Sequence, residues 1–417
     1  MSYEKKKLKD CCVSISDGDH LPPPKAETGI PFITISNIDG NNQLDFSNVM
    51  YVPEEYYDGL PANKKAVVGD ILYSVVGSFG KPVYISNNDK FVFQRHIAIL
   101  KPTDKMDGKY LYYTMLNPMF YRMADKLAIG CAQRTITLDA LRNIVVDIPP
   151  IEKQKSITNV LNAIDGKIAV NNRINDNLEH QLEDIYNYWF TQFDFAQTNG
   201  QPYKSTGGSL VWNEQIKRKI PANWDVKPLG EICSFRNGIN YDKNIEGDKT
   251  YRIVNVRNIS SSAIVLDEND LDEIRLPQRQ GDKYCVSSKS IIVARSGIPG
   301  APRVLHKPND NTIFCGFIIC CTPCDKMLQY YLTFYLKQLE GSSATQTGGS
   351  ILQNVSQDTL SSLLVPVPPK ELLNEFNEMV SRAFDIIHNN MNENTRLHDM
   401  RDWLLPMLIN GQVSVGD

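Results

Sequence analysis

Four short constellations in this chain have residue types and spacings that could do chemistry. Asn117-Pro118-Met119-Phe120 approaches the Asn/Asp-Pro-Pro-Tyr/Phe pattern that holds an amino group for methyl transfer. It lacks the second proline, lies in a stretch with helical patterning, and has no glycine-rich cofactor loop to serve it. Gly77-Ser-Phe-Gly80 could cradle a phosphate if it opened a helix, but it lies between two strand-like runs and reads as a tight hairpin turn. Cys321-Thr-Pro-Cys324 has zinc-ligand spacing without a second Cys/His pair nearby, so cysteines at a strand end are the favoured reading. His96, on a predicted strand, fits a core position better than a general base. No catalytic residue, metal site or bound cofactor is therefore expected.

The elements that must carry any other function follow from the rest of the chain. Its 417 residues imply two to four domains, and 42% hydrophobic with 22% charged residues suits an ordinary globular protein. No apolar run is long enough for a membrane span, and no apolar segment follows the basic MSYEKKKLKD as a secretory signal would require. Nine scattered cysteines fit a reducing, cytoplasmic setting better than a disulfide framework. The net charge of −4 argues against a polycation as a whole. Residues 1–150 carry 17 basic and 17 acidic groups, and 229–369 carry 14 of each. Those blocks are neutral and free to gather lysine and arginine on one face.

The chain is written twice. IPFITISNIDG (30–40) returns as TYRIVNVRNIS (250–260), and GDILYSVVGSFGKP (69–82) returns as KSIIVARSGIPGAP (289–302). TITLDALRNIVVDIPP (135–150) returns as NVSQDTLSSLLVPVPP (354–369), and the offset stays between 219 and 221 throughout. That period is far too long for a solenoid. Each copy alternates β-rich runs with turn residues, adds an amphipathic helix (KYLYYTMLNPMFYRMADKL; KMLQYYLTFYLKQLE), and closes on Pro-Pro.

A long helix follows each copy. In the first, Ile157, Leu161, Ile164, Ile168, Leu178, Leu182, Ile185 and Trp189 fall at alternating steps of four and three, a heptad seam. Asn171 and Asn175 fill its two missing positions, and Asn390 and Asn394 fill the same positions of the second helix. Central polar residues in both helices suit an antiparallel pair, with Asn171 beside Asn394 and Asn175 beside Asn390. They fix register, mark a wetter centre or form a functional cluster; the registry reading is favoured. The expected fold is α+β: two β-rich domains (1–150 and 229–369) at opposite ends of an antiparallel two-helix coiled-coil spacer (151–193 and 370–417). A linker over 194–228 completes this pseudo-two-fold repeat. A 39-residue helix over 152–190 spans ~58 Å, a length suited to two DNA half-sites ~34 Å apart.

The layout resembles the specificity (S) subunit of type I restriction–modification enzymes over essentially the whole chain. IPANWDVKPLGEIC (220–233) resembles the family's opening Pro…Trp…Leu-Gly signature, and GDILYSVVGSFG (69–80) its Gly-Asp-Ile-Leu…Gly-x-x-Gly hairpin. PPIEKQKSI (149–157) resembles Pro-Pro-Leu-x-Glu-Gln-x-x-Ile at the start of the central helix, with Lys153 in place of the usual glutamate. PPKELLNEF is a degenerate second copy, and the first domain lacks an Ile-Pro-x-x-Trp start.

The resemblance implies a non-catalytic subunit whose two target-recognition domains each read half of a split double-stranded DNA sequence. It also implies partners: two modification (M) subunits that bring S-adenosylmethionine and methylate a flipped adenine, and restriction (R) subunits that translocate and cleave. Arginine and lysine pair with guanine and asparagine and glutamine with adenine, so polar residues at strand ends are the candidates for base reading. In the first domain the candidates are Ser36, Asn37, Ser78, Lys81, Arg95, Gln133 and Arg134. In the second they are Arg236, Asn237, Arg257, Asn258, Arg295, Ser296, Arg303, Gln353 and Asn354. Each of them also fits the role of a solvated loop residue. A coiled-coil adaptor whose globules bind proteins would share this layout, without the steep salt dependence of DNA binding.

Overall fold

The structure, a computed structural model, describes residues 3–20, 22–130, 133–241, 247–340 and 355–415. It divides into two compact units, one of residues 1–167 and 397–417, the other of 168–396. Each unit holds one globule and part of both long helices.

In the first unit the strands are β1 (Glu4–Lys7), β2 (Cys12–Asp17), β3 (Ile30–Ile33), β4 (Met50–Val52), β5 (Ile71–Ser74), β6 (Pro82–Tyr84), β7 (Val92–Phe93), β8 (Ile97–Pro102) and β9 (Val145–Ile148). They form a four-stranded sheet in the order β2-β8-β5-β6, a three-stranded sheet β4-β3-β7, and the closing pair β1-β9. Successive side chains on a strand face opposite ways. Ile71, Tyr73, Ala98 and Leu100 therefore join the core beneath the helices, while Leu72, Ile97 and Ile99 pack with Ile33 and Phe93 of the smaller sheet. Covered on both faces, β5 is buried at all four positions. That explains its unbroken apolar run. The helical stretch after β8 is two helices, Gly108–Leu116 and Pro118–Leu127. Asn117 breaks it by accepting a bond from the Met119 amide, with Pro118 opening the second helix.

In the second unit the first long helix is followed by a hairpin, β10 (Leu210–Asn213) and β11 (Arg218–Pro221), inside the expected linker. Its globule comprises β12 (Asp225–Pro228), β13 (Cys233–Asn237), β14 (Lys249–Val254), β15 (Asp272–Leu276), β16 (Ile291–Ala294), β17 (Pro302–Arg303), β18 (Thr312–Phe314), β19 (Ile318–Pro323) and β20 (Leu364–Val367). The orders β13-β19-β16-β17 and β15-β14-β18, with the pair β12-β20, repeat the first globule strand for strand. Because β12 pairs with β20, this globule starts at Asp225, four residues before the expected boundary at 229. One further likeness holds the helical layer down: Tyr110 donates to the Asp147 carbonyl, and Tyr331 donates to that of Pro366.

The first long helix is α-helical over Ile151–Tyr186 and ends in a wider π-type turn, Asn187–Thr191; the second runs over Lys370–Ile409. Gln154, in the PPIEKQ motif, is buried and accepts from the Asp107 amide at 2.9 Å while donating to the Pro149 carbonyl at 2.9 Å. In the first unit Ile157 and Leu161 share a core with Leu405 and Leu408, and Arg401 bonds Asp165 at 3.1 Å. In the second unit Asn171 donates to Asn394 at 2.9 Å and Asn390 donates to Asn175 at 2.8 Å. Numbers rising on one helix as they fall on the other make the pairing antiparallel within each unit. Phe384, off the expected seam, is fully buried as well.

Candidate nucleic-acid interface

Four loops converge at one place on the first globule. The hairpin between β5 and β6 carries Gly77 and Gly80, whose φ angles of 71° and 93° only glycine adopts without strain. The Val75 amide donates to the His96 carbonyl at 2.9 Å, tying that hairpin to the turn between β7 and β8. The Ile136 amide donates to the Val75 carbonyl at 3.0 Å, bringing in the segment before the last short helix. The loop after β2 joins them, since the Arg95 amide donates to the Asp19 carbonyl at 3.0 Å.

The same loops meet on the second globule. Arg295 donates its amide to the Phe317 carbonyl at 2.9 Å and accepts from the Val355 amide at 2.9 Å. The Gly316 amide donates to the Ile239 carbonyl at 2.7 Å. Arg295 thus stands where Val75 stands, and Phe317 where His96 stands.

Of the first-globule candidates, Ser78, Arg95 and Gln133 are exposed and lie at this convergence; Gln133 sits against Gly77. Arg134 is nearby but bonds Asp125 at 2.6 Å. Lys81 donates to the Ile38 and Asp39 carbonyls at 3.3 and 3.1 Å, so it holds two loops together. Ser36 is exposed, and its hydroxyl pairs with that of Thr34 at 2.7 Å. Asn37 is no reader. It is buried, accepts from the Thr34 amide at 2.9 Å, and donates to the Asp45 and Asn48 carbonyls at 3.2 Å each.

In the second globule Asn258 repeats Asn37: it is buried, accepts from the Asn255 amide at 2.8 Å, and donates to Asp270 at 3.1 Å. Arg303 is likewise turned inward. It is 2% exposed and donates to the Ile259, Ser262 and Pro302 carbonyls and to Glu340. Arg295 and Ser296 lie at the convergence; Arg295 donates to the Gly316 carbonyl at 3.3 Å. Arg236 is exposed at the end of β13 and donates to the Lys283 and Cys285 carbonyls at 2.7 and 3.1 Å, with Asn237 exposed beside it. Arg257 is held by Asp270 and Asp272 at 3.2 and 2.8 Å, bonds that keep its guanidinium firmly charged. Gln353 and Asn354 lie outside the described residues.

Three residues escaped the sequence reading. Tyr241, Arg275 and Phe317 line a cleft of about 830 Å³ together with Arg257 and Asn255. Phe317 is 62% exposed. Its alignment with His96 at an offset of 221 was the available signal.

Asn117 is spent on capping, and Cys321 is buried in the core, where a hydrogen bond to Cys233 and burial push its thiol well up. His96 lies on a turn instead of a strand, and burial and then Arg95 hold its imidazole below the usual range. Among the described residues no group of three or more His, Cys, Asp or Glu is placed to hold a metal. Among them, too, no helix is long and apolar enough to cross a membrane.

Residues 2–180 and 221–395 each match the type I restriction modification DNA specificity domain. The chain is 23% identical over 449 aligned residues to the HindI specificity subunit of Haemophilus influenzae, covering 93% of this chain and 95% of that one. It is 24% identical over 317 residues to the MjaIX specificity subunit of Methanocaldococcus jannaschii, covering 75% and 71%. A crystal structure of a type I S subunit from M. genitalium superimposes with a TM-score of 0.56 at 16% identity, covering 98% of this chain and 96% of that one.

Proposed function

Since this chain belongs to the type I restriction–modification DNA specificity family, we propose that it is the sequence-reading subunit of such a complex, each globule reading one half of a split duplex target. The observation that carries this reading is the pair of matched domains, each with the same strand order and the same convergence of loops. A fixed scaffold with changeable loop tips is what two related but different base readouts require.

Methyl transfer and cleavage then belong to partner subunits, and S-adenosylmethionine to the modification subunit. The long helices offer docking surface. Met400 and Trp403 lie three residues apart and are 42% and 59% exposed; Val170 and Ile174, one turn apart, are 46% and 39% exposed. Apolar residues in that spacing on a solvent-facing helix suit a protein partner.

The test compares methylomes of cells that express the modification subunits with and without this chain. A bipartite methylated motif should arise only when the chain is present. The purified chain alone should bind duplex DNA with a steep loss of affinity in salt and transfer no methyl group. Methylation by the chain alone, or an unchanged methylome, would refute the assignment.

A further inference from the structure

We propose that the turn between β7 and β8, and its counterpart between β18 and β19, are the specificity-determining tips of the two globules. The rings of His96 and Phe317 would meet the bases there, each with an arginine beside it, Arg95 or Arg295. This inference rests on the DNA-reading function above and assigns it to particular residues.

The backbone of each turn is gripped from two sides. In the first globule the Arg95 amide is bonded to the loop after β2, and the His96 carbonyl to the β5–β6 hairpin. In the second the Gly316 amide is bonded to the loop after β13, and the Phe317 carbonyl to the β16–β17 hairpin. Side chains on so constrained a turn present to solvent from a fixed origin, the condition for reading a base without first ordering a loop.

What those turns present differs in an informative way. Each has a ring at the same position, and each has an arginine next to it, but the arginine comes from opposite sides. Arg95 is on the turn itself, with its Nε 3.4 Å from the His96 ring nitrogen, and Val75 lies behind it. In the second globule the turn residue is Gly316, and Arg295 reaches from the hairpin behind, its Nη1 on the Gly316 carbonyl. Among the described residues the buried Arg295 Nε has no partner.

A single exposed phenylalanine is unremarkable on a protein surface. Phe317 differs because it rims the 830 Å³ cleft shared with Arg257 and Arg275, and because its counterpart is another ring. Rings contact the thymine methyl or wedge against a base step, and arginine bonds the guanine O6 and N7 edge. The shared ring-plus-arginine pair supplies both kinds of contact. Its different geometry would give the two globules different half-sites.

The experiment uses the full chain assembled with its modification subunits and reads both the methylated motif and the melting temperature. Phe317→Ala should weaken base preference roughly tenfold or more at one or two positions of one half-site, leaving the other half and the melting temperature unchanged. Arg95→Ala and His96→Ala should act on the opposite half. Phe317→Tyr, which keeps the ring, should retain the parent motif. If the parent chain directs a bipartite motif and all the tip variants keep it, the tip assignment fails while the DNA-reading function stands. Both halves altered by Phe317→Ala, or a parent motif not retained by Phe317→Tyr, also overturns the assignment. If the parent directs no motif, the function itself fails and takes the tips with it.

Discussion

Val83 and Arg303 occupy the same place in the two globules: Val83 faces Leu72 across β5–β6, and Arg303 faces Ile292 across β16–β17. Both are 2% exposed. The first globule fills the site with hydrocarbon, packed in the core of the smaller sheet. The second buries a guanidinium, caps it with three carbonyls, and neutralises it with Glu340 at 3.2 Å. Duplicated scaffolds therefore preserve which positions are buried more strictly than what fills them. The same freedom extends to the loop tips, where ring and arginine are rearranged without disturbing the strands.

The largest expected effect comes from treating the globules as interchangeable. Exchanging residues 225–367 for the equivalent of another family member should replace one half of the methylated motif and leave the other. The cut must include β12, because a cut at 229 would separate it from β20. Methylome sequencing reads the result; changes in both halves would show that the globules do not read independently.

Next in size is the buried arginine. Arg303→Val copies the first globule's solution but leaves Glu340 behind. Although burial pushes the Glu340 carboxyl up, its bonds to Arg303 and Lys337 hold it below the usual range. Breaking a fully buried pair from one side costs about 3–5 kcal/mol, an upper bound here because Glu340 keeps Lys337 at 2.6 Å, whereas replacing both partners is often close to neutral. Urea denaturation should show that loss for Arg303→Val and recovery of much of it in Arg303→Val/Glu340→Leu. Equal losses in both variants would mean that the carbonyl contacts, not the ion pair, dominate.

Much of this organisation was legible in the sequence, because repeats and heptads depend on the order of apolar residues and not on fine geometry. The offset of 219–221 marked the two copies, and the gap in the apolar seam marked Asn171, Asn175, Asn390 and Asn394. The DNA-reading candidates were less legible. Asn37, Asn258 and Arg303 are polar residues at strand ends, as base readers would be, yet their hydrogen bonds are spent inside the protein. Only the folded chain shows whether a polar side chain points to solvent or to a carbonyl. Phe317 failed in the opposite sense, since an apolar residue between two strands looks like core.

The seam asparagines give a smaller effect. Asn394 accepts from Asn171 and donates to Asn172 at 2.7 Å. Asn394→Leu should cost about 0.5–1.5 kcal/mol, because it removes one bond of the buried Asn171 amide, which keeps the other, to Glu393 at 2.8 Å. Changing Asn171, Asn175, Asn390 and Asn394 together to Leu should instead raise Tm while loosening the register of the pair. Thermal melting and cross-linking of paired cysteines along the seam separate the two outcomes. A lower Tm for the quadruple variant would mean that the amide network outweighs hydrophobic packing.

The smallest effect again turns on something one repeat has and the other lacks. Glu179 on the first long helix is buried and accepts from the Ile264 and Val265 amides at 3.2 and 2.8 Å, seating the second globule on that helix. At the matching position of the second helix, residue 398 is histidine. Burial pushes the Glu179 carboxyl above the usual carboxylate range, and the two amide bonds only partly offset it. A carboxyl raised in the folded state binds its proton more tightly there than in the unfolded chain. Stability from that proton is fully present below the unfolded value and declines as pH rises through the raised folded value. Glu179→Gln keeps a carbonyl oxygen for both amides and removes the charge. It should match the parent at pH 4 and be slightly more stable at pH 7, by less than the seam substitution costs. Denaturation curves at both pH values provide the measurement. A variant less stable than the parent at pH 7 would show that Glu179 works as an anion, with Arg303, which also attracts it, outweighing the cost of its burial.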